Sequence, residues 1–327
     1  MRRGLKEFSF IMQGRCFLNC LFFITAIIFS YYFMHIRFVL NYQYTRASLS
    51  ALLNGTAAVP FQYRILIPWL VRMLEDTKLS FGDIPFRLFR LIEFFSIFSL
   101  AVAFRYYLSL FFRNQIISTV ASLILFYVLP FNFLLLPTIW YPWDMPVILF
   151  FTLGLILLYK KKWIIYYLLF IIATLNKETT CFLTLIYLFT AIGKDKPKTI
   201  ALHCFFQLII WCTIKYFLYQ LYFNNPGAGI FEGQLSKNIN FFKNIKNYPF
   251  FFSNMGFLWI PTFFYFRLIE ARFVKRSLLV IFPFFLVMML AGNIIELRAY
   301  GELISVVLVA FLLIIKELLK RKIPLLA

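Results

Sequence analysis

The sequence predicts an all-α fold: a polytopic bundle of transmembrane helices forming a single integral membrane domain over residues 1–327. Three observations carry this. The chain is 62% hydrophobic with a mean hydropathy of +0.83, whereas soluble domains are near one half apolar. Its apolar residues lie in long runs, and a bilayer core about 30 Å thick needs roughly 20 of them per helix. The runs are continuously apolar rather than alternating, which excludes a transmembrane β-barrel.

About ten spans follow in order: residues 16–40, 88–111, 115–137, 144–159, 163–176, 179–193, 199–221, 253–267, 277–291 and 302–318. The segment before the first, Met1 to Arg15, is basic, as in a signal peptide. The run from Cys16 to Leu40 is too long for one and lacks a small-residue cleavage site, so it reads as a retained first helix. Several other spans are short, as expected of helices that break or end inside protein. The pair 163–176 and 179–193 reads either as two short helices or as one interrupted helix.

Charge orients these spans. With the N-terminus inside, more than half of the 33 Lys and Arg residues fall in short inside segments. These are Arg2 to Arg15, Arg113, Lys160 to Lys162, Lys194 to Lys198, Arg267 to Arg276 and Lys316 to Lys322. Such a bias in short loops sets orientation. It predicts cytoplasmic N- and C-termini. The Lys- and Phe-rich composition further suggests a bacterial chain, and hence the bacterial cytoplasmic membrane. In that setting the glycosylation-like triplet Asn54-Gly55-Thr56 is incidental.

Two outside loops are long, residues 41–87 and 223–252. In the first, Pro60 to Leu74 carries apolar residues at helical spacing, with Arg64 and Arg72 about two turns apart. This predicts an amphipathic helix near 65–74 lying in the membrane interface, with Trp69 at headgroup level. Pro68 suits the first turn of a helix, so an extended approach precedes it. The second loop opens on the turn signal Asn224-Asn225-Pro226-Gly227.

Several function classes drop out. The net charge of +20 is scattered over loops rather than gathered in a patch, so the partners expected are membrane lipids and not nucleic acid. Cys16, Cys20, Cys181, Cys204 and Cys212 all fall in apolar runs and read as small buried hydrophobes. His35 and His203 are isolated and there is no Asp-x-Asp pair, so neither a metal nor a cofactor is expected.

The remaining chemistry sits in a small outside polar set. It comprises Arg64 and Arg72; Glu75, Asp76 and Asp83; Trp140, Tyr141, Trp143 and Asp144; Asn176, Lys177 and Glu178; and Asn293, Glu296, Arg298 and Glu302. An ionisable group near hydrocarbon costs at least about 2.5 kcal/mol at mid-helix unless it finds a partner or a water-filled cavity. Trp140 to Asp144 reads both as an aromatic belt with a helix N-cap and as an acid at the rim of a cavity. Asn176-Lys177-Glu178 is wedged between apolar runs; at membrane depth its charges must be buried in protein or face water. Glu296, Arg298 and Glu302 read either as a self-paired ion group or as part of a site.

Cations and carboxylates on an outer face, without His or Cys, suit glycosyl transfer from a polyprenyl-phosphate sugar. The leaving phosphate needs Arg or Lys at the membrane surface. The acceptor hydroxyl needs a carboxylate as general base. Fixed cations in a poorly hydrated site stabilise charge developing on the phosphate.

The architecture and three stretches resemble bacterial membrane glycosyltransferases of the GT-C fold and uncharacterised polytopic proteins grouped near them. The stretches are Tyr63-Arg64-Ile65-Leu66-Ile67-Pro68, Trp143-Asp144-Met145-Pro146 and Asn176-Lys177-Glu178-Thr179. The resemblance implies metal-independent hexosyl or pentosyl transfer from an undecaprenyl-phosphate carrier to a glycan, lipid or protein of the cell envelope. It implies Arg64 and Lys177, with Arg298, as phosphate ligands, and Asp144 or Glu178 as base or acceptor anchor. Tyr63, Trp140 and Glu296 join the substrate-binding set. GT-C enzymes usually carry an acid early in the first external loop, but Asn41 to Arg72 contains none. Two other readings compete: a transporter or lipid and oligosaccharide flippase, since broken helices and intramembrane charges mark those too, and a non-catalytic partner in a glycan-export complex.

Overall fold

A computed structural model describes residues 2–75, 84–135, 139–227 and 233–322. Asp76 and Asp83 lie outside them. Among the described residues the chain is helical, with two isolated β-bridges and no strand. Helices α1 (Arg2–Leu40), α2 (Leu49–Asn54) and α3 (Leu66–Glu75) lead into α4 (Ile84–Ser109), α5 (Gln115–Ser122) and α6 (Ile124–Phe133). Then come α7 (Asp144–Lys160), α8 (Trp163–Asn176), α9 (Phe182–Ala191), α10 (Pro197–Leu221) and α11 (Leu235–Lys243). The chain ends with α12 (Tyr248–Phe252), α13 (Trp259–Phe264), α14 (Arg272–Ser277), α15 (Ile281–Ala291) and α16 (Ile304–Lys322).

Local chemistry sets many of these ends. Ser48 Oγ accepts from Ala51 N at the start of α2, and Gly55 at φ +75° closes it in the left-handed conformation. Asn114 Oδ1 accepts from Ile116 N and opens α5. Pro197 begins α10, where its missing N–H costs nothing. Helix α3 begins at Leu66 and holds Pro68 within its first turn.

Four helical segments are long and apolar enough to cross a membrane: Cys16–Leu40, Gln115–Phe133, Pro197–Leu221 and Arg272–Ala291. They suggest a membrane protein. Helix α4 matches them in length but carries Arg87, Arg90, Glu93 and Arg105. Residues 163–193 form two short helices. Helix α8 stops at Asn176, Lys177 is extended, and a 3-10 turn over Glu178–Cys181 leads into α9. The span expected over 253–267 does not form one helix. Met255, Gly256 and Phe257 all have positive φ, and only the six residues of α13 follow as α-helix. An L-residue helix cannot pass through three left-handed residues.

The main core is built around α16. Ile304 and Val306 to Ala310 are all buried, so the first half of this helix is enclosed on every side. Around it pack Phe104, Tyr107, Leu125, Val128, Phe133, Ile148, Phe151 and Leu155. Helices α1 and α10 are peripheral and expose Ile24, Ile28, Leu202, Phe205 and Phe206. This position corrects the expectation for the cysteines: Cys16, Cys20 and Cys212 face outward from these two helices, and all five thiols are free.

The helix ends sort into two groups. The C-terminal ends of α1 and α8 meet the N-terminal ends of α4, α7 and α16 through the ion pairs described below. At the other ends, Lys161 at the close of α7 meets Asp195 at 2.6 Å, Arg272 donates to Ile192 O and Gly193 O, and Lys316 donates to Phe111 O.

Candidate functional site

The site begins with a guanidinium buried in the last turn of α1. Arg37, 1% exposed, donates one nitrogen to Glu93 of α4 and another to Asp144 Oδ2 at 2.5 Å. Glu93 is held from its second oxygen by Trp140 Nε1 at 2.7 Å. The Arg37 fork also lies over the Phe133 ring at 5.0 Å. One planar cation thus ties together three helices through a rigid fork that a lysine's ammonium does not offer.

Asp144 is the first residue of α7, where the helix dipole favours an anion. Its other oxygen accepts from Arg298 Nη1 at 3.3 Å, and Arg298 in turn donates to Glu296. Arg298 sits in the 3-10 turn before α16, over the Tyr141 ring at 4.3 Å. Burial pushes its pKa down, but Glu296 and Asp144 more than offset this and hold it above the usual value.

Tyr141 stacks on Trp143 at 4.6 Å, and Trp143 carries the Arg64 guanidinium at 4.8 Å. Arg64 enters from the turn before α3 and grips Glu178 with two nitrogens, its Nε at 3.1 Å from Oε2. Burial also lowers the Arg64 pKa, and the Glu178 carboxylate reverses the shift. Glu178 is the more open of the two expected acids: its side chain is 35% exposed against 1% for Asp144. Lys215, from within α10, brings its ammonium to 3.9 Å from Glu178 Oε2. One turn earlier on α10, Trp211 Nε1 donates to Glu178 O at 2.9 Å.

The neighbouring break is closed by a second buried pair. Lys177 Nζ and Thr179 Oγ1 both donate to Glu302 Oε1, at 2.7 and 2.6 Å. Asn176 donates to Trp143 O at 3.1 Å. Several buried polar atoms have no hydrogen-bond partner among the described residues: Arg37 Nε, Trp143 Nε1, Asn176 Oδ1, Lys215 Nζ, Arg298 Nε and Glu302 Oε2. Orphans are rare in native interiors, and each calls for an explanation.

Of the residues expected from sequence, Arg64, Trp140, Asp144, Lys177, Glu178, Glu296 and Arg298 all join this connected cluster. Tyr63 packs instead in a separate apolar group with Val59, Ile65 and Leu218. Arg72 donates to Leu53 O, outside the cluster. Three members escape the sequence reading: Arg37, Glu93 and Lys215, which fall within the expected spans 16–40, 88–111 and 199–221. Each is an ionisable group within an apolar run, and that signal alone marks a residue for function.

Chemically, the cluster offers cations and carboxylates in equal number, on a slab of aromatic rings. Among the described residues no group of three or more His, Cys, Asp or Glu is placed to hold a metal ion. No family model, no curated protein and no solved structure matches this chain.

Proposed function

We propose that the chain is an integral membrane glycosyltransferase of GT-C-like architecture. It moves a hexosyl or pentosyl group from a polyprenyl-phosphate carrier to a glycan, lipid or protein acceptor outside the bacterial cytoplasmic membrane. In this reading the chain crosses the bilayer about ten times, both termini are cytoplasmic, and the ion cluster opens outward. Helix α3 lies in the interface, a placement its exposed Trp69, Leu70 and Met73 support.

The observation that carries the proposal is the setting of Glu178: a partly exposed acid at a break between two helices, gripped by Arg64 and flanked by Lys177 and Lys215. A phosphate leaving group and an acceptor hydroxyl need those charges side by side. Arg64 holds the phosphate, with Lys177, paired to Glu302, and Arg298 behind it. The acceptor oxygen attacks the anomeric carbon and the bond from that carbon to the phosphate oxygen breaks. The electron pair leaves with the polyprenyl phosphate, and Glu178 takes the acceptor proton. Asp144 is 1% exposed and held between two guanidinium groups, whereas the Glu178 side chain is 35% exposed, so Asp144 frames the site and Glu178 is the base.

The test is transfer in proteoliposomes, with a radiolabelled sugar on undecaprenyl phosphate and envelope glycolipid as acceptor. Arg64→Ala is expected to lower the rate by about 10²-fold or more, the usual effect of removing one electrostatic donor, while the protein still folds and inserts. Wild-type turnover in that variant refutes the assignment.

A further inference from the structure

We infer that Glu178 occupies the position that a lipid phosphate takes when bound, and that Lys215 is the second cation of that site. This rests on the glycosyltransferase reading and goes beyond it: the donor's own phosphate displaces Glu178 from Arg64 and thereby frees the base.

The argument starts from Lys215. It lies six residues before the end of α10, so its Cα sits about 9 Å below that end at 1.5 Å per residue. A lysine at such a depth normally snorkels its ammonium to the interface. Lys215 does the opposite. Its ammonium is buried against the break between α8 and α9, with no hydrogen-bond partner among the described residues. The nearest carboxylate oxygen is at 3.9 Å, too far for a hydrogen bond. On the outer face of the same helix, Tyr216 and Phe217 are exposed. The charge thus points inward from a peripheral helix whose other face is open to lipid.

Charge balance then identifies the missing partner. Lys177 is neutralised by Glu302. At this end of the cluster that leaves Arg64 and Lys215 facing Glu178 alone, a local excess of one positive charge, while the matching excess carboxylate lies at the far end among Arg37, Arg298, Glu93, Asp144 and Glu296. A phosphodiester carries one negative charge and restores neutrality at this end. It also offers oxygens to both cations, which the single carboxylate does not: Glu178 satisfies Arg64 and leaves Lys215 short. The exposed flank of α10 gives the lipid tail a path along the bilayer. Once phosphate takes over the Arg64 fork, Glu178 loses its two-point grip and its oxygens become available to the acceptor hydroxyl.

The experiment is native mass spectrometry of the detergent-solubilised full chain, titrated with an undecaprenyl-phosphate-linked hexose, a phosphodiester, and, in a second arm, with inorganic phosphate. The wild type is expected to bind the lipid phosphate, with inorganic phosphate competing only at far higher concentration. Losing one charge-assisted contact in Lys215→Met is expected to weaken binding roughly tenfold or more, and Lys215→Arg to restore it. Glu178→Gln, which removes the competing carboxylate charge, is expected to tighten binding several-fold. Normal binding by Lys215→Met, or unchanged or weaker binding by Glu178→Gln, overturns the exchange and leaves the glycosyltransferase reading standing. Equal competition by inorganic phosphate overturns the lipid assignment. A wild type that binds no lipid phosphate at all overturns both.

Discussion

Arg37 makes the sharpest test of what holds the cluster together. Replacing it with methionine keeps most of the side-chain volume and removes the fork between Glu93 and Asp144. Two effects compete to set the cost. The contact with the Phe133 ring contributes about 0.5–2 kcal/mol as a cation–π pair. Leaving two buried carboxylates facing each other costs more: removing one partner from a buried ion pair typically costs about 3–5 kcal/mol. The electrostatic loss therefore dominates, and Arg37→Met should lower the thermal unfolding midpoint in detergent markedly. Arg37→Lys should fall between it and wild type, because an ammonium keeps the charge but lacks the rigid planar fork that spans the two carboxylates. The decisive measurement is the double variant Arg37→Met with Glu93→Gln. It removes one orphaned charge, so it should be more stable than Arg37→Met alone. If the two losses simply add, the ion bridge is not what ties α1 to α4 and α7.

Other outcomes follow from the same geometry. Asn238 donates to Met288 O, Met289 O and Gly292 O and accepts from Ile294 N, so it caps the end of α15 from α11. Asn238→Ala should cost about 1–3 kcal/mol in unfolding free energy, and Asn238→Asp, which loses the donors, should cost more. Gly256 has φ +61°, and a Cβ there would lie 2.6 Å from the Tyr127 ring. Gly256→Ala should therefore lower the midpoint, by strain of about 1–3 kcal/mol; an unchanged midpoint would show that the left-handed turn is not needed. For sidedness, in a cysteine-free background an impermeant maleimide should label Lys237→Cys from outside cells, and Lys196→Cys only after the membrane is opened. Labelling of both from the same side would overturn the orientation.

The helical, apolar character of this chain follows from composition and run length, because hydrocarbon burial leaves the backbone no option but to bond within each helix. The interruption at Lys177 is equally legible: two apolar runs flank a charged triplet that must be enclosed by protein, and Asn176 and Lys177 are buried. The helix in the first loop and the expected acids were readable from spacing and residue type. What pairs with what was not. Arg37 and Glu93 stand 56 residues apart, and Arg37 and Asp144 stand 107 apart. Only the packing of α1 on α4 and of α4 on α7 makes one guanidinium answer two carboxylates. The break over Met255 to Phe257 was hidden for a related reason, since local apolar content is silent on backbone handedness. Periodicity and charge act along the chain, so they determined most of the helical segments and which ends carry charge. Ion pairing acts across space at a few ångströms, so tertiary structure alone decided that Asp144 is locked between two arginines while Glu178 keeps a face open.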